Sequence, residues 1–192
     1  MIIGYLLRLG VLLASRWLKL LFGASPFLVA FVFIAVSIAV YPGFSWRRNA
    51  LSDLGHATRS RAAVAYNLGI FTAGFLAALY AMKYVVGRWL ATGLCLELAG
   101  YTLGLVAVFD EVYGRVHGAV SALFFLMLLA ASIAYSIERR WLAPGVLGGL
   151  GLLSWMAFWA DVFEWGAAVP EAISVALAFI WYLRLVAEAS SR

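Results

Sequence analysis

The sequence predicts an all-α integral membrane protein: a bundle of six transmembrane helices preceded by an amphipathic helix at the membrane surface. Of the 192 residues, 66% are hydrophobic and 12% are charged, whereas about a quarter of the residues in a soluble domain are charged. The mean hydropathy is +0.99, and the apolar residues are gathered into six long stretches. A soluble core could not enclose this much apolar surface, but a lipid bilayer can.

Each of the six stretches is long enough to cross a bilayer as a helix. About twenty residues, rising about 1.5 Å each, cover about 30 Å of hydrocarbon. The predicted spans are 20–46 with a core at 26–41, then 62–82, 89–109, 116–137, 141–160 and 165–183. Spanning segments must satisfy their backbone hydrogen bonds internally, which predicts helices. The runs do not alternate between apolar and polar residues, which excludes a β-barrel.

Residues 1–22 differ from the spans, because a polar and basic face runs along them. That face is formed by Gly4, Arg8, Ser15, Arg16 and Lys19. The pattern predicts an amphipathic helix lying in the headgroup plane, followed by a single transmembrane domain at 23–192. Two alternatives remain open: a cleaved signal peptide, whose apolar region would be interrupted by a charge, and a seventh spanning helix.

The basic residues in the short loops predict the orientation. One side of the bundle carries nine of them: Arg8, Arg16, Lys19, Lys83, Arg88, Arg139, Arg140, Arg184 and Arg192. The other side carries five: Arg47, Arg48, Arg59, Arg61 and Arg115. The side richer in basic residues is usually cytoplasmic. We therefore expect both termini in the cytoplasm and the protein in the plasma membrane.

Charge and cysteine content exclude several classes of function. The net charge of +5 does not indicate nucleic-acid binding, because the basic residues flank apolar spans and form no basic face of a soluble fold. Membrane lipids are the expected partners, and the oligomeric state is open. The single cysteine, Cys95, lies within an apolar span, which excludes an intrachain disulfide and a thiolate metal cluster.

Most of the ionisable groups that could perform chemistry fall on the outer side of the predicted bundle. Six of the nine acidic residues lie there, together with both histidines: Asp53, Asp110, Glu111, Asp161, Glu164, Glu171, His56 and His117. In the first outer loop, Asn49 or Ser52 can cap a short helix that has Asp53 near its positive end. Arg47 and Arg48 either bind a ligand such as a lipid phosphate or are solvated.

The other two outer junctions supply partners for that loop. Asp110 ends one span and His117 opens the next, and we expect this carboxylate and imidazole to pair. At the third junction, Asp161 and Glu164 are three residues apart and are predicted to share a helical face, and Glu171 lies about one turn inside the last span. Because buried polar groups need partners, the first loop is expected to fold onto the mouth of the bundle.

Glu97 is the one acidic residue predicted near the bilayer centre. A carboxylate there costs at least about 2.5 kcal/mol on insertion scales, and such residues commonly serve a function. Glu97 is therefore a candidate ligand-binding residue, together with Glu171. The alternative is a protonated glutamic acid that bonds to a neighbouring helix or to Tyr101.

The order Asn49-x-Leu51-Ser52-Asp53-Leu54-Gly55, the Asp110/His117 junction and six spans in this length resemble one family. The chain is similar, over nearly all of its length, to the archaeal multi-pass membrane protein family catalogued as domain of unknown function 998. The resemblance implies the architecture and brings no activity with it. It implies site residues at Asn49, Ser52, Asp53, Asp110 and His117.

Several functions fit these residues. The outward-facing Asp, His, Glu and Asn residues could belong to an accessory or structural protein, or they could bind or transport a small molecule or lipid. Alternatively, a membrane-embedded, metal-assisted hydrolase could act on lipids at the outer leaflet, with Ser52, Asp53, Asp110 and His117 as catalytic residues. A divalent metal such as zinc would then be held by His56, His117 and Asp110, since catalytic zinc takes three protein ligands. Haem ligation by the two histidines is disfavoured, because His56 lies in a loop.

Overall fold

Six α-helices form the molecule in the computed structural model, which describes residues 2–191 and, of these, the side chains of residues 15–191. In chain order the helices are α1 (Ile2–Val40), α2 (Ala63–Tyr80), α3 (Leu90–Val108), α4 (Arg115–Arg139), α5 (Ala143–Trp159) and α6 (Ala168–Ala189). Short 3₁₀ helices occupy Leu51–Gly55 and Glu111–Tyr113, and a π-helical turn, Ala81–Val85, extends α2.

Five of these helices are long and apolar enough to cross a membrane, which supports an integral membrane protein. They are α1 from Ser15 onwards, α2 with its π-helical extension, α3, α4 and α6. The sixth apolar helix, α5, has 17 residues and reaches about 26 Å, less than the hydrocarbon thickness of about 30 Å. The six-span prediction is therefore supported for five spans, and a full crossing by α5 stays a prediction.

The ends of the first helix depart from the predicted boundaries. Helix α1 ends at Val40 rather than at residue 46, because the residue before Pro42 is disfavoured in helical geometry. At the other end, α1 runs without a break from Ile2. The predicted amphipathic segment 1–22 falls mostly on residues whose side chains lie outside the described part, and so it stays a prediction.

Successive helices run up and down, so that three junctions meet at one end of the bundle. We call this the polar end; it comprises loop 1 (residues 41–62), loop 2 (109–114) and loop 3 (160–167). Helix α3 lies between α2 and α4, and α5 packs against both α4 and α6. The backbones of α2 and α3 touch at Gly74 and Gly100, where an added Cβ would collide with the facing backbone. Such small residues allow helices to associate closely in lipid.

The opposite end is tied together by two glutamates. Glu188 of α6 forms ion pairs with Arg139, 2.8 Å away, and Arg184, 3.0 Å away. Glu138 of α4 accepts hydrogen bonds from the backbone N–H groups of Ala91 and Thr92. These bonds satisfy free donors in the first turn of α3, so the charged groups at this end are used to join α3, α4 and α6.

Candidate functional site

Loop 1 is anchored to the bundle by two leucines. Leu51 and Leu54 lie three residues apart in the 3₁₀ helix, so their side chains share a face. Leu54 is fully buried and Leu51 is 7% exposed, and both pack with Tyr66, Ile70 and other residues of α1, α2 and α6. Loop 1 therefore lies across the polar end of the bundle, where the sequence predicted that it would fold onto the bundle mouth.

Asn49 and Asp53 close the start of this 3₁₀ helix. The Asn49 amide nitrogen donates to Asp53 Oδ2 at 2.7 Å, and the Ala50 N–H donates to the same oxygen at 3.0 Å. Asn49 Oδ1 accepts from the Ser45 N–H at 2.9 Å. Most partners of Asn49 and Asp53 are thus local. The prediction that Asn49 or Ser52 caps this helix is wrong: the N-cap residue is Ala50, whose side chain makes no capping bond, and Asp53 reaches back to its N–H instead.

Loop 3 docks on loop 1 through the backbone. The Gly166 N–H donates to Trp46 O at 2.8 Å, and the Ala168 N–H donates to Asn49 O at 2.9 Å. A Cβ at Gly166 would collide with the backbone of Asn49, so this close approach requires glycine.

Loop 1 meets loop 2 through Ser52 and Glu111. Ser52 is 6% exposed and its hydroxyl donates to Glu111 Oε1 at 2.6 Å. Burial alone would raise the pKa of Asp53, but hydrogen bonds from Glu111, Asn49 and Ala50 outweigh it and hold that pKa below its ordinary value. Burial and the adjoining Asp53 carboxylate raise the pKa of Glu111. The pKa values of the two carboxyl groups are therefore shifted in opposite directions, upward for Glu111 and downward for Asp53, as expected for an adjoining and partly buried pair.

His117 lies beside this pair at the start of α4. It is 8% exposed, and its Nδ1 lies 2.7 Å from the carbonyl oxygen of Phe109, so Nδ1 carries a hydrogen and donates. Nε2 faces Ser121 Oγ at 3.3 Å and Glu111 Oε1 at 3.9 Å. With Nδ1 protonated, a neutral His117 presents Nε2 as an acceptor.

The carboxylate next to His117 is Glu111, which corrects the predicted Asp110–His117 pair. Asp110 instead caps the 3₁₀ helix of loop 2 by accepting from the Val112 N–H at 2.9 Å, and it accepts from the Ala57 N–H at 3.2 Å. The short 3₁₀ helix turns the Asp110 side chain back toward loop 1. Asp110 therefore joins loops 1 and 2, and the next residue, Glu111, is the carboxyl group beside the imidazole of His117.

Glu171 enters the cluster from α6. It is 9% exposed, and its Oε2 accepts from the Leu51 N–H at 2.5 Å. We name Ser52, Glu111, His117 and Glu171 the polar cluster. Its four side chains come from loop 1, loop 2, α4 and α6.

A cavity of about 390 Å³ extends from the polar cluster into the apolar part of the bundle. All four residues of the polar cluster line it. Farther from the cluster its walls are apolar and come from α4, α5 and α6, with Phe125, Leu128, Trp155 and Trp181 among them. A smaller lobe of about 110 Å³ shares Ser52, Glu171 and Phe125 with it and reaches Phe27 and Tyr182.

Helices α4 and α5 separate on approaching the polar end. Toward the opposite end, a Cβ at Gly148 would collide with Ser132, and the Gly145 N–H donates to Ser136 Oγ at 2.7 Å. Nearer the polar end, the exposed residues Gly118 and Ala122 of α4 line the cavity, as does Trp159 of α5. A Cβ at Gly118 would meet no other atom within 4 Å. The cavity therefore opens sideways, between two apolar helices.

Other predicted site residues lie away from this cavity. Arg47 and Arg48 are exposed in loop 1. Glu97 is half-buried in α3 and lines neither lobe. Asp161 and Glu164 are exposed in loop 3 and are not helical, so they share no helical face; the turn at Asp161, with φ of 51°, prevents it.

The predicted metal ligands are separated. His56 Nδ1 lies 3.4 Å from Thr58 Oγ1 within loop 1, whereas His117 and Asp110 are engaged as described above. Within the part of the chain that the structure describes, no three His, Cys, Asp or Glu side chains are placed to hold a metal ion. The geometry thus gives no support to zinc-assisted hydrolysis.

Sequence reasoning passed over some cavity residues. Glu111 was grouped with the outer acids but not chosen as a site residue, although it adjoins Asp110. Ser121 is one helical turn after His117, a spacing that places both on one face. Ser174 is likewise one turn after Glu171 and lines the cavity. This spacing of one helical turn from a predicted site residue is the sequence signal that indicates Ser121 and Ser174.

The fold and the cavity define a class: a polytopic helical membrane protein with an internal cavity that is polar at one end and apolar along its length. The model of one family, described as a protein of unknown function (DUF998), matches residues 24–188, and the chain belongs to that family. No curated protein and no solved structure matches the chain.

Proposed function

We propose that this protein binds a membrane amphiphile, with the ligand's head against the polar cluster and its hydrocarbon chain along the apolar walls. The observation that carries the proposal is the 390 Å³ cavity, whose size lies within the range of about 300–1,000 Å³ typical of small-molecule sites. The polar end of the cavity matches the head of an amphiphile, and its long apolar part matches the hydrocarbon chain. A purely structural polar cluster would leave this space without a role.

The indole N–H of Trp155 supports an occupant of this kind. Trp155 lines the cavity, and its Nε1 is buried without a hydrogen-bond partner among residues 15–191. Buried donors in folded proteins are nearly always satisfied. An oxygen atom of a bound ligand would supply the acceptor, so part of the ligand's polar head is expected to reach the wall formed by α5.

The sideways opening between α4 and α5 gives the ligand a route from the bilayer. A molecule dissolved in lipid can pass Gly118 and Ala122 without its chain crossing water, which costs about 0.8 kcal/mol per exposed CH₂ group. From the distribution of basic residues, we propose that the polar end faces outward and that both termini lie in the cytoplasm. The ligand would then come from the outer leaflet of the plasma membrane.

Filling the opening tests the proposal. Gly118→Leu places a side chain in open space on the cavity wall and should reduce binding about tenfold or more, because it occupies the ligand's path. The full-length protein is placed in lipid nanodiscs with a dodecanol carrying a diazirine, irradiated, and analysed by mass spectrometry for crosslinked peptides. We expect crosslinks in α4, α5 and α6 of the unmodified protein.

Gly149→Leu is the matched control. Gly149 is also helical and has no atom within 4 Å of an added Cβ, but it does not line the cavity. Both changes replace a helical glycine, which favours the helix, so a difference between them reports on the cavity. Equal crosslinking of both variants, or crosslinks spread evenly over all six helices, would show that the cavity is not a binding site.

A further inference from the structure

The polar end of the cavity carries acidic groups and, among the described side chains of residues 15–191, no lysine or arginine. Among the described residues that line the two lobes, the ionisable side chains at this end are Glu111, Glu171, His117 and the phenol of Tyr66, and none of the lining residues is lysine or arginine. Behind Glu111 lies Asp53, whose carboxyl interacts with it. Any ligand head placed here faces two carboxyl groups, those of Glu111 and Glu171, with a third behind them.

This charge arrangement disfavours an anionic head. A phosphate or carboxylate at this depth would lose water and gain no positive partner, and removing an unpaired ion from water costs several kcal/mol. The Asp53 carboxylate behind Glu111 would add repulsion. The arginines that the sequence offered for phosphate binding, Arg47 and Arg48, are exposed on loop 1 and line neither lobe.

Acceptors are plentiful at the same place. The Glu171 side chain uses Oε2 for the Leu51 N–H, and a carboxylate offers about four lone-pair directions, so acceptor capacity is left for a ligand. With Nδ1 donating to Phe109 O, the neutral His117 presents Nε2 as a second acceptor. A head group that donates hydrogen bonds would satisfy both.

We infer that the bound amphiphile carries a hydrogen-bond-donating head without negative charge, an alcohol or an amine, held by Glu171, Glu111 and His117. This inference rests on the proposed function, since it names the chemistry of the ligand in the same cavity. The shared chemistry is an O–H or N–H donor on a single hydrocarbon chain. The chain runs along the walls of α4, α5 and α6.

A competition series with one chain length and four heads tests the inference. Dodecanol, dodecylamine, dodecyl phosphate and dodecanoate each compete with the diazirine-bearing dodecanol for crosslinking to the full-length protein in nanodiscs of neutral lipid. We expect the alcohol or the amine to compete at least about tenfold better than the phosphate and the carboxylate, a difference of about 1.4 kcal/mol. The arms for alcohol and amine identify which donor is preferred.

Glu171→Gln tests the contact with the ligand's head separately from the binding of its hydrocarbon chain. It keeps the size of the side chain but cannot ionise to pair with an ammonium group, so dodecylamine should lose affinity relative to dodecanol. Glu164→Gln, a change at an exposed residue of loop 3, should leave the order of the four heads unchanged. Loss of the preference in both variants would mean that it comes from surface charge and would overturn the assignment to Glu171.

The outcomes distinguish this inference from the proposed function. If dodecyl phosphate or dodecanoate competes as well as the alcohol and amine, while Gly118→Leu still blocks crosslinking, the head-group inference is wrong and the cavity remains a binding site. If none of the four competes and Gly118→Leu has no effect, the proposed function itself is wrong, and the head-group inference that rests on it is wrong as well.

Discussion

The side chains of the segment 49–55 are divided between two different surfaces. Leu51 and Leu54 fill the core formed with α1, α2 and α6, while Ser52 and Asp53 meet Glu111 of loop 2. Gly55 lies against Tyr66 and Asn67, where an added Cβ would collide, and the Asn67 amide donates to its carbonyl at 2.8 Å. The residue order is thus explained by a 3₁₀ helix with one buried face and one face toward the cavity.

At Glu111 we expect a pH dependence of stability that a single substitution removes. Its pKa is raised in the fold, so its contribution is present below the ordinary glutamate pKa and is lost as pH rises through the folded pKa. Glu111→Gln mimics the protonated acid beside Asp53. Between mildly acidic and neutral pH, the variant should lose less Tm than the unmodified protein, by roughly 2–4 °C if about 1 kcal/mol is involved.

Thermal unfolding in nanodiscs at several pH values measures this difference, with Glu164→Gln as the control carboxyl in an exposed loop. Asp53 has the opposite sign: its pKa is lowered, so its stabilisation is lost only as pH falls below the ordinary aspartate range. Both proteins should share that loss. Identical profiles for Glu111→Gln and the unmodified protein would mean that the pKa of Glu111 is not raised in the fold.

Loop 1 behaves as an element of the bundle because it is packed and not merely hydrogen-bonded. Leu54 is fully buried among residues of α1, α2 and α6. Loop 1 in turn supplies Ser52 and the Leu51 N–H to the polar cluster. The cavity's polar end therefore depends on an apolar contact.

Leu54→Ala should weaken the docking of loop 1 and leave the spanning helices largely unchanged. Truncating a fully buried leucine costs about 2–5 kcal/mol, and this cost falls on the docking of loop 1. We expect faster amide hydrogen exchange over residues 49–57 and weaker crosslinking of the dodecanol probe, with little change in α3 and α4. Leu142→Ala, at a residue that is 80% exposed, should change neither, and increased exchange throughout the helices would instead indicate global unfolding.

The sequence predicted the helices well and the contacts between loops only in part. Long apolar runs bounded by charges determine where α2, α3 and α4 lie, because the bilayer imposes their length. The start of α6 at Ala168 and the break after Val40 depend on local turns, and the predicted boundaries differed there. The need of loop 1's polar groups for partners predicted that loops 1 and 2 would meet. It did not predict that Glu111 rather than Asp110 would adjoin His117, because a single 3₁₀ turn decides which side chain faces the cavity.

At the scale of the whole molecule, one pair of helices accounts for the cavity. Helices α4 and α5 touch through Gly148 and Ser132 and separate toward the polar end, where Phe125 and Trp155 still meet with ring centroids 5.1 Å apart. A composition rich in glycine and leucine does not specify how far two helices diverge, so the cavity could not be read from the sequence. The division of charged residues between the two ends of the bundle could be read from the sequence.

That division makes a prediction about sidedness. If the end with nine basic residues is cytoplasmic, then loop 3 faces outward and the α4–α5 turn faces inward. In a Cys95→Ser background, Glu164→Cys should react with a membrane-impermeant maleimide on intact cells. Leu142→Cys, at an equally exposed position of the opposite end, should react only after the cells are permeabilised. The reverse pattern would place the polar end in the cytoplasm and make the inner leaflet the source of the amphiphile, while reaction of both cysteines on intact cells would contradict the arrangement of the spans.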